Sequence, residues 1–285
     1  MASSLPRRIA VAAVGIPTAL GLVYVGGWIL AAVLAVVGVL GTHELFRLAR
    51  AKDVRPLGLL GYAAAALAPL ALFGILNDRL LPPLWIGYAA IAWVIAIMAG
   101  AVFRRPPASG PLAAVAVTVF APAYTGLLPS FLLVIRHGNA AASPWAATWL
   151  VFLPLVVTWV CDSMAMAGGA LIGGPKFAPV VSPNKTWAGT VTGSVSAGLV
   201  APVYGWLALR PHDLHPGVVQ LVLLGILLSA LGQVGDLAES LFKREAGVKD
   251  SGTVFPGHGG VLDRFDSLYW VLPGAAALLA LYGIL

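Results

Sequence analysis

The stretch VVQLVLLGILLSALGQVGDL, Val218 to Leu237, carries a single charge, Asp236, near its C-terminal end. About 20 helical residues at ~1.5 Å each cover the ~30 Å hydrocarbon core of a bilayer, so this segment reads as a membrane-spanning helix. Working outward from it gives eight further segments of the same kind: Ile9 to Val25, Trp28 to Phe46, Leu57 to Leu76, Leu84 to Phe103, Leu112 to Ile135, Ala146 to Ala165, Trp187 to Leu209 and Phe265 to Leu285. Only Gly26 and Gly27 separate the first two, so one long bent unit, and eight spans in all, is the alternative reading. The first segment follows Arg7 and Arg8 in the charge order of a signal peptide. Further spans come at once, however, and it is read as an uncleaved helix.

Composition agrees with this reading. Hydrophobic residues make up 60% of the chain and charged residues 10%, against roughly a quarter charged in soluble domains. The expected fold is all-α, a polytopic bundle of about nine transmembrane helices forming one membrane domain over residues 1–285, with the catalytic motifs in 146–285. The polar stretches 172–186 and 238–264 are too short to bury a core of their own.

A net charge of +6 would suggest nucleic acid in a soluble protein. Here topology accounts for it, because Lys and Arg accumulate in short cytoplasmic loops, and no nucleic-acid partner is expected. With the N-terminus inside, nine spans leave 14 of the 17 basic residues in cytoplasmic segments, and only Arg79, Arg136 and Arg210 fall outside. The Ala- and Leu-rich composition suggests a bacterial inner (plasma) membrane. Cys161 is the one cysteine, so no intrachain disulfide forms, and within an apolar span it reads as a packing residue.

The eleven acids are unevenly spread: Asp236, Glu239, Glu245, Asp250, Asp263 and Asp266 fall within 31 residues. Acids contribute little to orientation and are expensive near hydrocarbon, so they need another reason to be there. Asp236, Glu239, Ser240 and Lys243 lie at i, i+3, i+4 and i+7, on one helix face. Asp263 and Asp266 make a second i, i+3 pair, and Asp162 adds a carboxylate at the cytoplasmic end of the sixth span. Oxygen ligands converging from three spans suit Mg²⁺ bridging to substrate phosphates. The alternative is that the acids only neutralise Lys243, Arg244, Lys249 and Arg264. That alternative does not by itself require acids on three separate spans.

Two loops add features suited to phosphate. Between the sixth and seventh spans, Gly173-Gly174-Pro175-Lys176 and Ser182-Pro183-Asn184-Lys185-Thr186-Trp187 lead into a helix N-terminus, a natural anion site at which Lys185 would neutralise a phosphate. The plainer reading is a proline turn with Thr186 as N-cap. The second loop, Pro256-Gly257-His258-Gly259-Gly260, gives backbone freedom beside Asp263, with His258 as a phosphate donor, a proton carrier or a structural residue. Carboxylates for metal, cations for phosphate and a glycine loop are the parts of phosphoryl and nucleotidyl transfer. No Walker A pattern and no GxGxxG in suitable context is present.

The run SLFKREAGVKDSGTVFPGHGGVLDRFD, Ser240 to Asp266, closely resembles the signature of phosphatidate cytidylyltransferases, matching at Ser240, Lys243, Arg244, Lys249, Asp250, Pro256, His258, Gly259, Gly260, Asp263, Arg264 and Asp266. Gly235-Asp236-Leu237, Ser182-Pro183 and Lys185-Thr186-Trp187 look like further family motifs. Asn184 departs from a commonly basic position, and Met164 to Met166 depart from a common Ala-Tyr pair. The resemblance implies a Mg²⁺-dependent reaction in which phosphatidic acid, supplied by the membrane lipid, attacks the α-phosphorus of CTP. The metal ligands would then be Asp236 and Asp263, with Asp162, Glu239 and Asp266 as further ligands or orienters. Catalysis would rest on Asp236, Asp263, Lys243, Arg264 and His258. Ser182, Asn184, Lys185, Thr186, Ser240, Arg244, Lys249, Asp250, Gly259 and Gly260 would contact substrate. A second metal, a monovalent cation and a homodimer stay open. The rivals are a CDP-archaeol synthase, a CTP-dependent polyprenol kinase, or a cation- or proton-coupled transporter. The last predicts midplane charges and inverted repeats, which the sequence does not display.

Overall fold

The computed structural model describes residues 4–77, 83–139, 141–252 and 259–285. It is a bundle of helices with one small hairpin. Helix α1 (Ser4–Val25) and helix α2 (Gly27–Arg50) are separate elements. Gly26 between them takes φ +61 with ψ −144, a conformation open mainly to glycine, and this settles the two-helix reading over the bent unit. Helices α3 (Gly58–Asn77) and α4 (Pro83–Arg104) follow.

The fifth span is a composite: α5 (Pro111–Pro122), a π-helical turn (Ala123–Leu127) and α6 (Leu128–His137) run on without a break. The buried Thr125 hydroxyl within the turn donates to the Gly38 carbonyl of α2 at 3.0 Å. Helix α7 (Pro144–Ile172) extends seven residues past the end expected at Ala165, and α9 (Val218–Glu245) extends eight past Leu237. Between them, α8 (Trp187–Tyr204) continues through a π turn to Leu209. Helices α10 (Leu262–Phe265) and α11 (Leu268–Leu281) follow, and a break at Asp266–Ser267 starts the last span three residues later than the expected Phe265.

Among the described residues, seven helical runs are long and apolar enough to cross a membrane. Together with α1 and the shorter α11, they correspond to the nine expected segments. Their outer faces are apolar: Leu84, Trp85, Ile91, Ile95, Val102 and Phe103 of α4 are all exposed, as lipid-facing side chains are and a water-facing helix is not.

Packing within the bundle relies on small residues. A Cβ at Gly225 of α9 would strike the Ala197 carbonyl of α8, so the two backbones meet there with nothing between them. One apolar cluster, with Leu153, Leu224, Leu228 and Leu272, fills the centre, and a second, with Leu45, Phe46, Tyr124, Leu262 and Tyr269, lies around α10.

The segment expected as an open loop after α7 is an antiparallel hairpin, β1 (Lys176–Ala178) with β2 (Ser182–Thr186). It returns the chain tightly into α8: Trp187 N–H donates to the Pro175 carbonyl at 3.0 Å, and Trp187 meets Phe177 edge-on at 4.7 Å. The hairpin therefore holds Asn184 and Lys185 against the ends of α7 and α9.

Candidate active site

The C-terminal end of α9 stays helical because Ala238 to Arg244 contains no breaker and places Lys243 and Arg244 in the last turn, where cations suit the carbonyl end of the helix. Gly247, at φ +73, turns the chain away, and Val248 N–H returns to the Lys243 carbonyl at 2.9 Å. Asp236, Glu239, Ser240 and Lys243 thus lie on a regular helix, with the phase the sequence suggested.

Two ionic groups are built on this face. In the first, Lys185 of β2 reaches Asp236 at 2.6 Å, and the Ser240 hydroxyl lies 3.4 Å from the other Asp236 oxygen. Beside this pair is a cavity of about 410 Å³ lined by Asp162 of α7, Asn184, Lys185 and Thr186 of β2, and Gln233 and Asp236 of α9.

In the second group, Lys243 sits between Glu239 at 3.1 Å and Asp263 at 2.7 Å. The remaining Asp263 oxygen receives Ser251 N–H at 2.9 Å, Gly260 N–H at 2.8 Å and the Ser251 hydroxyl at 2.8 Å. Burial alone would raise the pKa of Asp263. The Lys243 ammonium and the donors from Gly260 and Ser251 outweigh it and hold this carboxyl, outside the spanning helices, at about 2. A cavity of about 280 Å³ opens here, lined by Ser240, Lys243, Arg244, Lys249, Asp250, Asp263, Arg264 and Asp266.

Asp266 links the two groups. It accepts from Ser267 N–H at 2.7 Å and lies within electrostatic range of both Asp236 and Asp162. All five acids expected at the site are therefore gathered here.

Pure charge pairing explains only part of the arrangement. Lys185 and Lys243 are held by acids, whereas Arg244, Lys249 and Arg264 enter no salt bridge among the described residues and are exposed around the second cavity. Arg244 makes only a long contact, 3.4 Å, to the Val181 carbonyl. Three cations without acid partners among the described residues, set round a cavity in which Asp263 is already paired with Lys243, are suited to a polyanion.

The other expected residues are placed as follows. Thr186 is spent as the α8 N-cap, its hydroxyl accepting from Gly189 N–H at 3.1 Å, as the plainer reading of that turn had it. Ser182 pairs with Ala178 in the hairpin and lines neither cavity. Gly259, at φ +85, and Gly260 lie against Asp263. His258, with Pro256 and Gly257, lies outside the described residues.

Sequence reasoning passed over two residues. Gln233 lines the first cavity and donates to the Ser194 hydroxyl at 3.1 Å; its signal was a polar residue one turn before Asp236 in an apolar span. Ser251, which feeds Asp263, follows Asp250 directly in the motif run.

Among the described residues, no three His, Cys, Asp or Glu side chains form a closed metal cage. Mg²⁺ does not require one, since it is commonly held by one or two carboxylates together with waters and substrate phosphates. The donors here are all oxygen, Asp162 and Asp236 border a cavity, and Glu239 Oε1 is buried without a partner. The residues fit an open, hard-cation site.

A model of the cytidylyltransferase family matches residues 6–282. A phosphatidate cytidylyltransferase from Synechocystis sp. is 31% identical over 94% of this chain and 94% of its own length. One from Rickettsia bellii is 41% identical over 51% of this chain and 62% of its own, and one from Brucella abortus is 44% identical over 56% and 54%.

Proposed function

Because the chain belongs to the cytidylyltransferase family, we propose that it is a phosphatidate cytidylyltransferase, which transfers CMP from CTP to phosphatidic acid and releases pyrophosphate. The observation that carries this reading is the cavity in which Arg244, Lys249 and Arg264 stand without acid partners beside Asp263 and Asp266, at one end of a membrane-spanning helix. CTP reaches such a site from water while the diacyl tails of the acceptor stay in lipid.

The lipid phosphate is already anionic at neutral pH, so it needs no side-chain nucleophile to activate it. Its oxygen attacks the α-phosphorus, the bond to the β-phosphate oxygen breaks, and pyrophosphate leaves. The work left to the protein is positioning and charge neutralisation. Arg244 and Arg264 can each grip phosphate with a planar two-point fork, and Lys249 adds a point charge. Lys185 and Lys243 hold Asp236 and Asp263 in place. Asn184, on the wall of the first cavity, offers an amide to a ligand there, while the Gln233 N–H groups are engaged by Ser194 and Thr190.

Mg²⁺ would be held by Asp236 and Asp263, with Asp162, Glu239 and Asp266 as further ligands or orienters. On Asp263 the available atom is Oδ1, now carrying only Lys243. When bound, the ion would offset phosphate charge and orient the triphosphate. The active site and the N-terminus would face the cytoplasm from the inner membrane, a reading that the basic-residue count supports.

An acceptor panel tests the proposal. Purified protein with CTP and Mg²⁺ should convert phosphatidate far faster than an unsaturated diether phosphate or a polyprenol. A preference for the diether lipid or the polyprenol would replace it with the corresponding rival.

A further inference from the structure

Glu44 lies in α2, in a segment whose composition explains only a membrane crossing, yet its side chain is buried, with the residue 2% exposed. A buried carboxylate is costly unless every oxygen finds donors. All the donors found for Glu44 come from the segments that carry the acid cluster. Val261 N–H donates to Oε1 and Leu262 N–H to Oε2, each at 2.9 Å, and the Ser251 hydroxyl lies 2.9 Å from Oε2. Val261 and Leu262 open α10, where backbone N–H groups have no helical partner and a negative charge is favoured. One turn along α2, the Arg47 guanidinium donates to the Ser251 carbonyl. Gly252 and Gly260 make room for this, because a Cβ at either would strike the Glu44 carboxylate.

One of the groups that Glu44 holds, Ser251, also serves Asp263, and its other partners, Val261 and Leu262, directly follow Gly260, a second donor to Asp263. Ser251 and Gly260 donate to Asp263 Oδ2, and Lys243 donates to Oδ1. The Ser251 hydroxyl lies within hydrogen-bond distance of both carboxylates and, having one proton, donates to one of them at a time, so its position couples Glu44 to Asp263.

We propose that Glu44 is a positioning residue for the transfer reaction. It fixes Ser251 on one side and Val261 and Leu262 on the other, and through them sets the orientation of Asp263 and Lys243 without touching substrate. This rests on the reading that Asp263 and Lys243 belong to the transfer site.

The test uses the full-length protein in detergent, with Glu44→Gln, Ser251→Ala, the double variant and Asp263→Asn. In Glu44→Gln an amide NH₂ must face a backbone N–H, which loosens the loop while conserving volume. Misplacement on the ångström scale predicts a fall in kcat of about 10- to 100-fold, with a smaller rise in KM for CTP, since Arg264 and Lys249 flank the groups that Glu44 holds while Arg244 sits on α9. Glu44→Gln should stay folded at the assay temperature, with a melting temperature somewhat below wild type because one buried backbone N–H loses its acceptor. Ser251→Ala should lower kcat by roughly 3- to 10-fold, and the double variant should be no worse than Glu44→Gln alone, because the two act through one contact.

Wild-type kcat in Glu44→Gln, or losses that multiply in the double variant, would overturn the inference. If Glu44→Gln does not fold, wild-type kcat in Ser251→Ala does the same. Asp263→Asn separates the two levels. If it retains turnover, the underlying site assignment fails; if it is dead while Glu44→Gln is fully active, only the role of Glu44 fails.

Discussion

Asp263 receives four donors and stays ionised down to about pH 2. Its folded pKa lies below the ordinary value of 3.8, so the stabilisation is fully present above about pH 4 and is lost as pH falls from there through about 2. Asp263→Asn should therefore lower the melting temperature in detergent at pH 7, with the gap to wild type narrowing at pH 3. An equal gap at both pH values would show that the carboxylate charge is not what the loop relies on. The acid cluster itself was legible from helical spacing, because Asp236, Glu239 and Lys243 share a face by arithmetic alone. The partners of the cluster were not. Nothing in the neighbourhood of Glu44 or Lys185 in the sequence points to Asp263 or Asp236, since those contacts are made by tertiary packing of elements far apart along the chain.

Hydrophobic run lengths located the elements, because a bilayer fixes how long a span must be, but said little about their ends. Helices α7 and α9 outrun their apolar stretches by seven and eight residues, since helix propensity persists after hydrophobicity ceases. The overrun of α9 carries Glu239, Ser240 and Lys243 on a rigid helix, which is the precision a site needs. The hairpin from Lys176 to Thr186 was unreadable as strands because it is short, polar and interrupted by Pro183. Helix contacts were equally hidden. Gly225 looks like any glycine in a span, yet the backbone of α8 lies directly against it. Gly225→Val should destabilise the protein by about 1–3 kcal/mol through overpacking and lower its melting temperature, whereas Gly21→Ala, with open space beside it, should not. Equal behaviour of the two would mean that α8 and α9 do not meet as described.

At the scale of the whole molecule, the charged groups of the site gather at one end of the bundle and the spanning helices present apolar faces to lipid. The 14-to-3 division of basic residues supports the proposal that this end is the cytoplasmic face. Cys161 is buried and is the only cysteine, so single cysteines can be introduced on a Cys161→Ser background. A membrane-impermeant maleimide should label Ala141→Cys, between α6 and α7, in intact spheroplasts, and Ala108→Cys, between α4 and α5, only after permeabilisation. The reverse pattern would invert the topology. The central claim, that this face joins CMP to a lipid phosphate, is tested most directly by following CTP labelled at its α-phosphorus, with purified protein, phosphatidate and Mg²⁺. The account predicts that the label enters lipid together with cytidine, that pyrophosphate appears in equal amount, and that Asp236→Asn abolishes both. Lipid labelled only from the γ-phosphorus, or no labelled lipid from active, folded protein, would contradict it.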